Sequence, residues 1–293
     1  AIRLFIKDFT LEHKLSYYNV RAHEGLMRNV VIRCNGKGEF MVIVVINEEN
    51  DLIRNVMIPE MQKRFPEIIS IMLVINNKFN DIITDLPFEN VYGEECLVET
   101  MKAPREGYDD LRFRVGPVSF FQTNVYQGER LYRAAFDLAD VKGDELMYDL
   151  YTGTGTIALY FARFVKNVVG VEYVEEAVAD AKINSEFNNI NNVKFYAGDM
   201  AKVFTDEFIE ANGRPDLVVT DPPRAGMHEK VVEQLLKIQP KKIVYISCNP
   251  ATQARDLQLL DSSYEVKAVQ PVDMFPHTHH VENIALLELR VEN

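Results

Sequence analysis

The sequence is poor in cysteine, in long apolar runs and in basic residues, and each shortage excludes a class of protein. Three cysteines among 293 residues cannot build a disulfide framework, so we expect a reducing, cytoplasmic setting. The longest uninterrupted apolar run is the seven residues Phe40–Ile46, whereas a membrane-spanning helix needs about 20. No membrane partner is therefore expected. The start of the chain lacks the regions of a signal peptide, and it begins with Ala1, so we expect a processed or truncated piece of a longer protein.

Basic residues are outnumbered, with 32 Lys and Arg against 44 Asp and Glu, which gives a formal net charge of −12. Such a balance ordinarily argues against a nucleic-acid partner, because phosphate binding depends largely on Lys and Arg. The charges are unevenly placed, however. Residues 1–40 carry seven basic and four acidic side chains, and residues 41–100 carry four and eleven. A basic face near the start and an ordinary solvated surface both fit this distribution.

The first part of the chain contains short apolar segments separated by turn signals. Asn35-Gly36 between two apolar runs predicts a β-hairpin. Residues 58–75 have the pattern of a helix that leads into a strand. We therefore predict a small α+β domain for residues 1–117.

The second part, residues 118–293, alternates strand-like and helical segments. Strands are expected at residues 145–150, 167–174, 193–198, 216–221 and 242–247, with helices at 156–165 and 175–189. This alternation specifies a doubly wound parallel sheet, so the second domain is predicted to be α/β. Two further strand-like segments, residues 264–275 and 281–291, leave no room for a helix between them. The last pair of strands should therefore be antiparallel.

A glycine-rich turn joins the first strand of this domain to its first helix. Gly153, Gly155 and Ala158 fit the pattern G-x-G-x-x-G/A, in which glycines let a ligand approach the backbone closely. Glu172, at the end of the next strand, can accept hydrogen bonds from ribose hydroxyls. The pattern predicts a nucleoside-containing cofactor, and nicotinamide dinucleotides and S-adenosylmethionine both fit it. A purely structural turn is the alternative.

The fourth and fifth strands end in residues suited to chemistry. Asp221 opens the segment Asp-Pro-Pro-Arg after the fourth strand, and Cys248 follows the fifth. Because the carboxyl ends of parallel strands meet at one edge, both residues should point at one cleft. The two prolines could merely end a strand, and a free cysteine is more often buried than reactive. The place of Cys248 between a strand and a proline-containing turn favours a cleft thiol.

The remaining candidates are less specific. Cys34 and Cys96 have no comparable context, and we expect them to be core thiols. Three histidines precede the last strand in the segment Met274–Asn283, but their spacing is poor for zinc, so no metal site is expected. Glu282 in the same segment is either a solvated acid or a general base in the cleft.

Six segments match, in order, the motifs of one enzyme family. They are SFFQTN (119–124), DLYTGTGTI (149–157), GVEYV (170–174), TDPPRAG (220–226), SCNPATQARD (247–256) and DMFPHTHHVEN (273–283). These motifs resemble those of the bacterial RNA uracil-5-methyltransferases, which use S-adenosylmethionine to make 5-methyluridine in transfer or 23S ribosomal RNA. The resemblance implies a Rossmann-like methyltransferase domain, S-adenosylmethionine as cofactor and RNA as partner, and we expect a monomer. It covers about residues 118–293 and is looser for residues 1–117, which resemble the family's middle domain.

The resemblance also implies roles for individual residues. The family's nucleophile corresponds to Cys248 and its general base to Glu282. Substrate contacts are expected at Gln122, Asp221 and Arg224. Cofactor contacts correspond to Gln122, Tyr151, Thr156, Glu172, Asp199 and Asp221, to which the glycine-rich turn adds Gly153. Tyr151 stands where Phe is common in the family, and Thr156 stands where Asn is common.

The chemistry of the family explains these residue types. Carbon 5 of uracil is a weak nucleophile, so a thiolate first adds to carbon 6 and creates an enolate. A base must later remove the proton on carbon 5 before the thiolate leaves. The target uridine must also leave its base stack. Family members usually carry an N-terminal β-barrel RNA-binding domain, and some carry a four-cysteine iron–sulfur site; we expect such parts before residue 1. The segment Arg28–Val45 resembles the ribosomal branch, so 23S ribosomal RNA is the favoured target.

Other functions compete with this one. An RNA cytosine-5-methyltransferase would place a cysteine after the fourth strand, where this chain has Arg224. An amino-methyltransferase of the Asn-Pro-Pro-aromatic type would need an aromatic residue there and would leave Cys248 unexplained. A transfer RNA enzyme, a non-catalytic RNA-binding module and a nicotinamide-dependent oxidoreductase stay open, and cofactor binding and activity distinguish them.

Overall fold

The computed structural model describes residues 1–290 and divides into two compact units. The first unit comprises Ala1–Glu99 and Arg114–Ser119, and the second comprises Thr100–Phe113 and the chain from Phe120 onward. The domain boundary expected near residue 117 stays a prediction, because compactness alone does not test whether either part folds by itself. No helix within residues 1–290 is long and apolar enough to span a membrane.

The first unit is built on a four-stranded mixed sheet. Its strands lie in the order β1-β2-β3-β4, with β2 and β3 parallel and the other pairs antiparallel. The elements are α1 (Ile2–Glu12), β1 (Met27–Cys34), β2 (Phe40–Ile46), a π-helical turn (Ile53–Met57), α2 (Ile58–Arg64), β3 (Ile68–Ile75) and β4 (Glu89–Gly93). The expected hairpin at Asn35-Gly36 is present as β1 and β2. The expected helix and strand over 58–75 are also present, as α2 and β3.

Two features of this unit differ from the sequence-based expectations. Residues 2–12 form a helix that was not predicted, although Ile2, Phe5, Ile6 and Phe9 have helical spacing and are all buried. Cys34 is exposed, so the expectation of a core thiol was wrong at that position. Its strand, β1, is at the edge of the sheet and is mostly solvent-facing after Met27. Cys96 is only partly buried.

The second unit contains a seven-stranded sheet in the order β12-β13-β11-β10-β7-β8-β9. Strands β7 to β11 are parallel to one another, whereas β13 is antiparallel to both of its neighbours, β11 and β12. The strands are β7 (Leu146–Leu150), β8 (Asn167–Glu172), β9 (Val193–Ala197), β10 (Leu217–Thr220), β11 (Lys242–Ser247), β12 (Tyr264–Val272) and β13 (Glu282–Leu289). The predicted doubly wound α/β fold with an antiparallel last strand is confirmed. A separate two-stranded sheet pairs β5 (Leu97–Met101) with β6 (Leu111–Val115).

Helices alternate with the strands of the second unit, as the sequence pattern predicts. They are α3 (Val125–Ala139), α4 (Thr156–Ala162), α5 (Glu175–Phe187), α6 (Met200–Val203), α7 (Asp206–Asn212), α8 (Glu229–Ile238) and α9 (Pro250–Leu260). Helix α9 shows how the local sequence fixes the start of a helix. Asn249 caps α9 by accepting a hydrogen bond from the backbone of Ala251, with Pro250 in the first turn. The central strands are almost wholly apolar and buried, which is expected of a parallel sheet with helices on both faces.

Candidate active site

The strand register brings Cys248 and Glu282 together. Strand β11 ends at Ser247, which pairs with Asn283 of the antiparallel strand β13. Cys248 is the next residue after this pair on one segment, and Glu282, the first residue of β13, is the next residue on the other. Although 34 positions separate the two residues in the sequence, the charge of Glu282 acts directly on the thiol.

Helix α9 ties the two strands together beside this pair. The side-chain amide of Gln253 donates hydrogen bonds to the backbone carbonyls of Tyr245 (2.9 Å) and Asn283 (3.1 Å). Asn283 in turn donates to the Gln253 side-chain oxygen at 2.6 Å. Because Gln253 is buried, these bonds are shielded from water and stabilise the register. No local sequence signal marks Gln253, although it belongs to the motif that contains Cys248.

Arg224 is the cation of this site. Its charge acts on both Cys248 and Glu282, and its backbone carbonyl accepts a hydrogen bond at 3.0 Å from the side chain of Asn249, the residue after Cys248. Burial raises the pKa of the Cys248 thiol, the charges of Glu282 and Asp221 raise it further, and Arg224 opposes them. Burial likewise raises the pKa of Glu282, and Arg224 again opposes the shift. The structure therefore brings together four of the predicted residues, Cys248, Glu282, Arg224 and Asp221.

Asp221 follows β10 at the same edge of the sheet. Burial of its carboxyl group, with the neighbouring charges of Glu282 and Asp149, raises the pKa of Asp221 well above its ordinary value. Acids held this close favour the arrival of a positive charge, because a cation relieves their mutual repulsion. The donor set therefore suits a cofactor with a sulfonium or ammonium group.

The glycine-rich turn is attached to the end of β8. Glu172 accepts hydrogen bonds from the backbone of Gly153 (2.9 Å) and of Val174 (3.0 Å). Each carboxylate oxygen keeps a further lone pair, so Glu172 can still accept from a ribose. A side chain added at Gly153 would meet nothing within 4 Å, which leaves the backbone of the turn accessible to a ligand. Tyr151, just before the turn, has a positive φ of 68°, an uncommon conformation that often marks a functional segment.

Gln122 and Thr156 both act on a buried residue that no motif identifies, Tyr132. Burial raises the pKa of the Tyr132 hydroxyl, on α3, and the side chains of Gln122 and Thr156 oppose the shift. Gly128, one turn earlier on the same helix face, leaves space for Gln122: a Cβ built on this glycine would lie 3.0 Å from the Gln122 Cβ. A polar residue on an apolar helix face, four positions after a glycine, is the signal that could have identified Tyr132.

Asp199 lies after β9, at the same edge of the sheet. Its carboxylate caps α6 by accepting from the backbone of Ala201 at 3.1 Å. Lys202 lies 3.5 Å from the other carboxylate oxygen. Gly198 donates to the carbonyl of Glu172 at 2.8 Å, which links the ends of β8 and β9. The placement is compatible with the predicted cofactor contact.

The start of α3 fixes the segment that precedes Glu282. The Asn124 side chain caps α3 and donates to the carbonyl of Met274 at 2.9 Å. Gln127 donates to the carbonyl of Asp273 at 3.0 Å. Within residues 1–290, no three His, Cys, Asp or Glu side chains are grouped to hold a metal ion.

Comparison with known proteins places the chain in a family. Residues 99–290 match the family model described as tRNA (uracil-5-)-methyltransferase. An uncharacterised RNA methyltransferase of Bacteroides thetaiotaomicron is 53% identical over 292 residues, which are 99% of this chain and 63% of that protein. A similarly named protein of Porphyromonas gingivalis is 48% identical, over 99% of this chain and 62% of its own length. The chain thus spans a little under two thirds of these relatives.

A solved structure agrees with this assignment. It is the tRNA (uracil-54, C5)-methyltransferase of Pyrococcus abyssi in complex with S-adenosyl-L-homocysteine, which is 35% identical with a TM-score of 0.78. The match covers 97% of this chain and 65% of that one. The expected methyltransferase fold and the class of cofactor are therefore confirmed at the level of the family. This chain belongs to the tRNA (uracil-5-)-methyltransferase family.

Proposed function

We propose that this chain carries the catalytic site of an enzyme that methylates carbon 5 of a uridine in RNA, with Cys248 as nucleophile and Glu282 as base. The observation that supports the proposal is the register of β11 and β13, which ends at Ser247 and Asn283, so that Cys248 and Glu282 are the next residues at one edge of the sheet, with the charge of Arg224 acting on both. A purely structural cysteine requires neither partner. In a nicotinamide-dependent oxidoreductase, the three residues Cys248, Glu282 and Arg224 would have no role.

The first step falls to Cys248. Its thiolate adds to carbon 6 of the uracil, a carbon–sulfur bond forms, and the electron pair of the 5,6 double bond moves toward the carbonyl oxygen as an enolate. Arg224 favours the thiolate electrostatically. In this proposal the Arg224 guanidinium also donates toward the negative charge that develops on the pyrimidine.

The cofactor site is assigned to the turn and the strand ends beside it. Bound S-adenosylmethionine would supply an electrophilic methyl group for carbon 5. Gly153, Glu172 and Asp199 would hold its nucleoside part, and Asp221 with the neighbouring acids would favour its positive charge. These assignments, with those of Tyr151, Thr156 and Gln122, are predictions that follow from the placement of the residues.

The last step falls to Glu282. After methylation, carbon 5 carries both the methyl group and a proton, and Glu282 removes that proton. The 5,6 double bond forms again, the carbon–sulfur bond breaks, and Cys248 leaves as a thiolate. Because burial raises the pKa of Glu282, it is a stronger base than an exposed glutamate, which suits proton removal near neutral pH.

The RNA target has two candidates. The ribosomal preference rests on the resemblance of Arg28–Val45 to that branch of the family. Transfer RNA is supported by the name of the Pyrococcus abyssi structure and by the description of the family model. We retain 23S ribosomal RNA as the first candidate, in the cytoplasm and with the enzyme as a monomer, and transfer RNA as the second. Labelling total RNA from a strain that lacks the gene, followed by mapping of the label, decides between them.

The mechanism is tested with two variants. Cys248→Ala should abolish methyl transfer while cofactor binding persists, and Cys34→Ala, which removes an exposed thiol, is the matched control with full activity. Methylation by Cys248→Ala at the normal rate would sink the covalent mechanism. Cofactor binding without methylation by the unaltered protein, on any RNA, would instead support a non-catalytic RNA-binding module.

Glu282→Gln should trap the intermediate, because the adduct can no longer lose its proton. We expect a protein–RNA species that survives denaturing electrophoresis and carries the labelled methyl group. The double variant Cys248→Ala/Glu282→Gln should not form it. An adduct that persists in the double variant would place the nucleophile elsewhere.

A further inference from the structure

Asp256 is a buried carboxylate with four donors around it. It lies in α9, fully buried, and accepts hydrogen bonds from the Tyr245 hydroxyl (2.7 Å) and the Met227 backbone (2.8 Å). The Arg255 guanidinium adds two more, from Nε at 2.9 Å and Nη2 at 2.7 Å. A buried carboxylate without such partners would be strongly unfavourable. One of these partners, Met227, is three residues after Arg224.

The same helix holds the other end of that segment. The carbonyl of Arg224 accepts from the Asn249 side-chain amide (3.0 Å) and from the Thr252 hydroxyl (3.1 Å). The carbonyl of Ala225 accepts from Arg255 Nη2 at 2.9 Å. Residues 224–227 are therefore bonded to α9 at both ends. We call Asn249, Thr252, Arg255 and Asp256 the α9 clamp.

Gly226 shows how closely the segment lies on the clamp. It has a positive φ of 81°, and a Cβ built on it would lie 2.6 Å from both Asp256 Oδ2 and Arg255 Nη2. No side chain fits between the backbone and these two groups. The segment is seated directly on the charged part of the clamp.

Arg224 itself is exposed, yet its charge acts on the Cys248 thiol, and its carbonyl is bonded to the side chain of Asn249, the residue next to Cys248. A long exposed side chain on a free loop would lose considerable conformational entropy in holding one partner. Anchoring its backbone removes much of that cost, because the stem then starts from a fixed point. The other charged groups that act on the thiol are Glu282 and Asp221, both acidic, so Arg224 alone opposes them among these neighbours.

We propose that the α9 clamp, with Asp256 at its centre, is a positioning device that holds Arg224 beside Cys248 and thereby sets the reactivity of the thiol. The clamp residues touch neither the thiol nor a reacting atom in this role. The inference rests on the proposed function, because it assigns the clamp to the nucleophile of that mechanism.

The test measures the alkylation of Cys248 by iodoacetamide as a function of pH, without RNA or cofactor, by mass spectrometry of the peptide. The exposed thiol of Cys34 in the same molecule is the internal reference. Arg224→Gln and Asp256→Asn should each move the midpoint of Cys248 alkylation to higher pH. The rate near pH 7, relative to Cys34, should fall about tenfold for each unit of that shift.

A double variant separates positioning from general damage. Because the clamp acts through Arg224, adding Asp256→Asn to Arg224→Gln should produce no further shift. Thr252→Val removes one clamp bond at a partly exposed position and should shift the midpoint less than Asp256→Asn does. It tests the clamp even if Asp256→Asn folds poorly. Gln258→Ala, on the exposed side of α9, is the control and should match the unaltered protein.

Two results would overturn the proposal. One is a midpoint that is unchanged in both Asp256→Asn and Thr252→Val. The other is that Asp256→Asn shifts the alkylation midpoint by the same amount in the Arg224→Gln variant as in the unaltered protein. Neither result depends on methylation, so a failure of the clamp is distinguishable from a failure of Cys248 as nucleophile, which Cys248→Ala tests.

Discussion

The buried carboxyl of Asp149 makes the stability of the second unit depend on pH. Asp149 is next to last in β7 and fully buried. Its Oδ2 accepts from the Thr152 hydroxyl (2.5 Å) and the Ala158 backbone (2.9 Å), whereas Oδ1 has no partner within the described residues. Burial raises the pKa of Asp149 from 3.8 to about 7 despite these bonds, and the charge of Glu172 adds to the shift.

The sign and size of the effect follow from this shift. Between pH 5 and pH 8 the unfolded chain has already released the Asp149 proton, whereas the folded chain holds it until about pH 7. The native state then binds more protons than the unfolded state, so its stability falls as pH rises. Each pH unit between the two pKa values is worth about 1.4 kcal/mol, which amounts to about 2–3 kcal/mol lost from pH 5 to pH 8.

Asp149→Asn removes this dependence. The amide cannot ionise and its oxygen can keep both donors, but its buried NH₂ group lacks a partner, which costs about 1–3 kcal/mol at every pH. The variant should be less stable than the unaltered protein at pH 5, and the difference should shrink or reverse by pH 8. Urea unfolding followed by circular dichroism at pH 5, 6, 7 and 8 measures this, with exposed Asp144→Asn as the control. A stability difference that stays constant over this range would refute the reasoning.

Three further changes have defined outcomes. Gly170→Ala should destabilise the protein by about 1–3 kcal/mol, because its Cβ would lie 2.6 Å from the Phe195 ring; unchanged thermal unfolding would contradict this. Gly128→Ala should raise helix stability by up to about 1 kcal/mol and yet slow methyl transfer, because it displaces Gln122; a normal kcat would argue against a role for Gln122. Glu172→Gln should weaken cofactor binding about tenfold, since an amide has one acceptor oxygen where a carboxylate has two, and a calorimetric Kd equal to that of the unaltered protein would contradict the assignment.

The fold of the second unit could be predicted because short apolar strand segments alternate with helical segments along it. The predicted strand at 242–247 coincides with β11, and the one at 216–221 contains β10. The fold of the first unit was harder to predict from the sequence. Helix α1 has apolar positions at helical spacing, but its amphipathic pattern only becomes decisive once the buried partners of Phe5 and Phe9 are known.

The reacting residues of the candidate site could be predicted from the sequence, but the buried residues that position them could not. Cys248 and Glu282 belong to motifs whose residue types, a thiol and a carboxylate, indicate a nucleophile and a base. Asp256 belongs to one of the same motifs, yet nothing in its local sequence identifies the backbone of Met227, 29 positions away, as its partner. Tyr132 is similar, because the two side chains that act on its hydroxyl come from different segments of the chain. Supports of this kind depend on tertiary contacts, which spacing along a chain does not reveal.

The antiparallel direction of β13 explains how a base reaches the nucleophile. In a parallel sheet the strands all end at one edge, so Asp221 and Cys248 are both residues that follow strands. A strand that ran parallel to them would begin at the opposite edge, with its first residue a full strand length away. Because β13 runs the other way, it begins where the others end, and Glu282 enters the site as a strand start. The reversal predicted from the missing helix between the last two strands is therefore also the feature that completes the proposed catalytic pair.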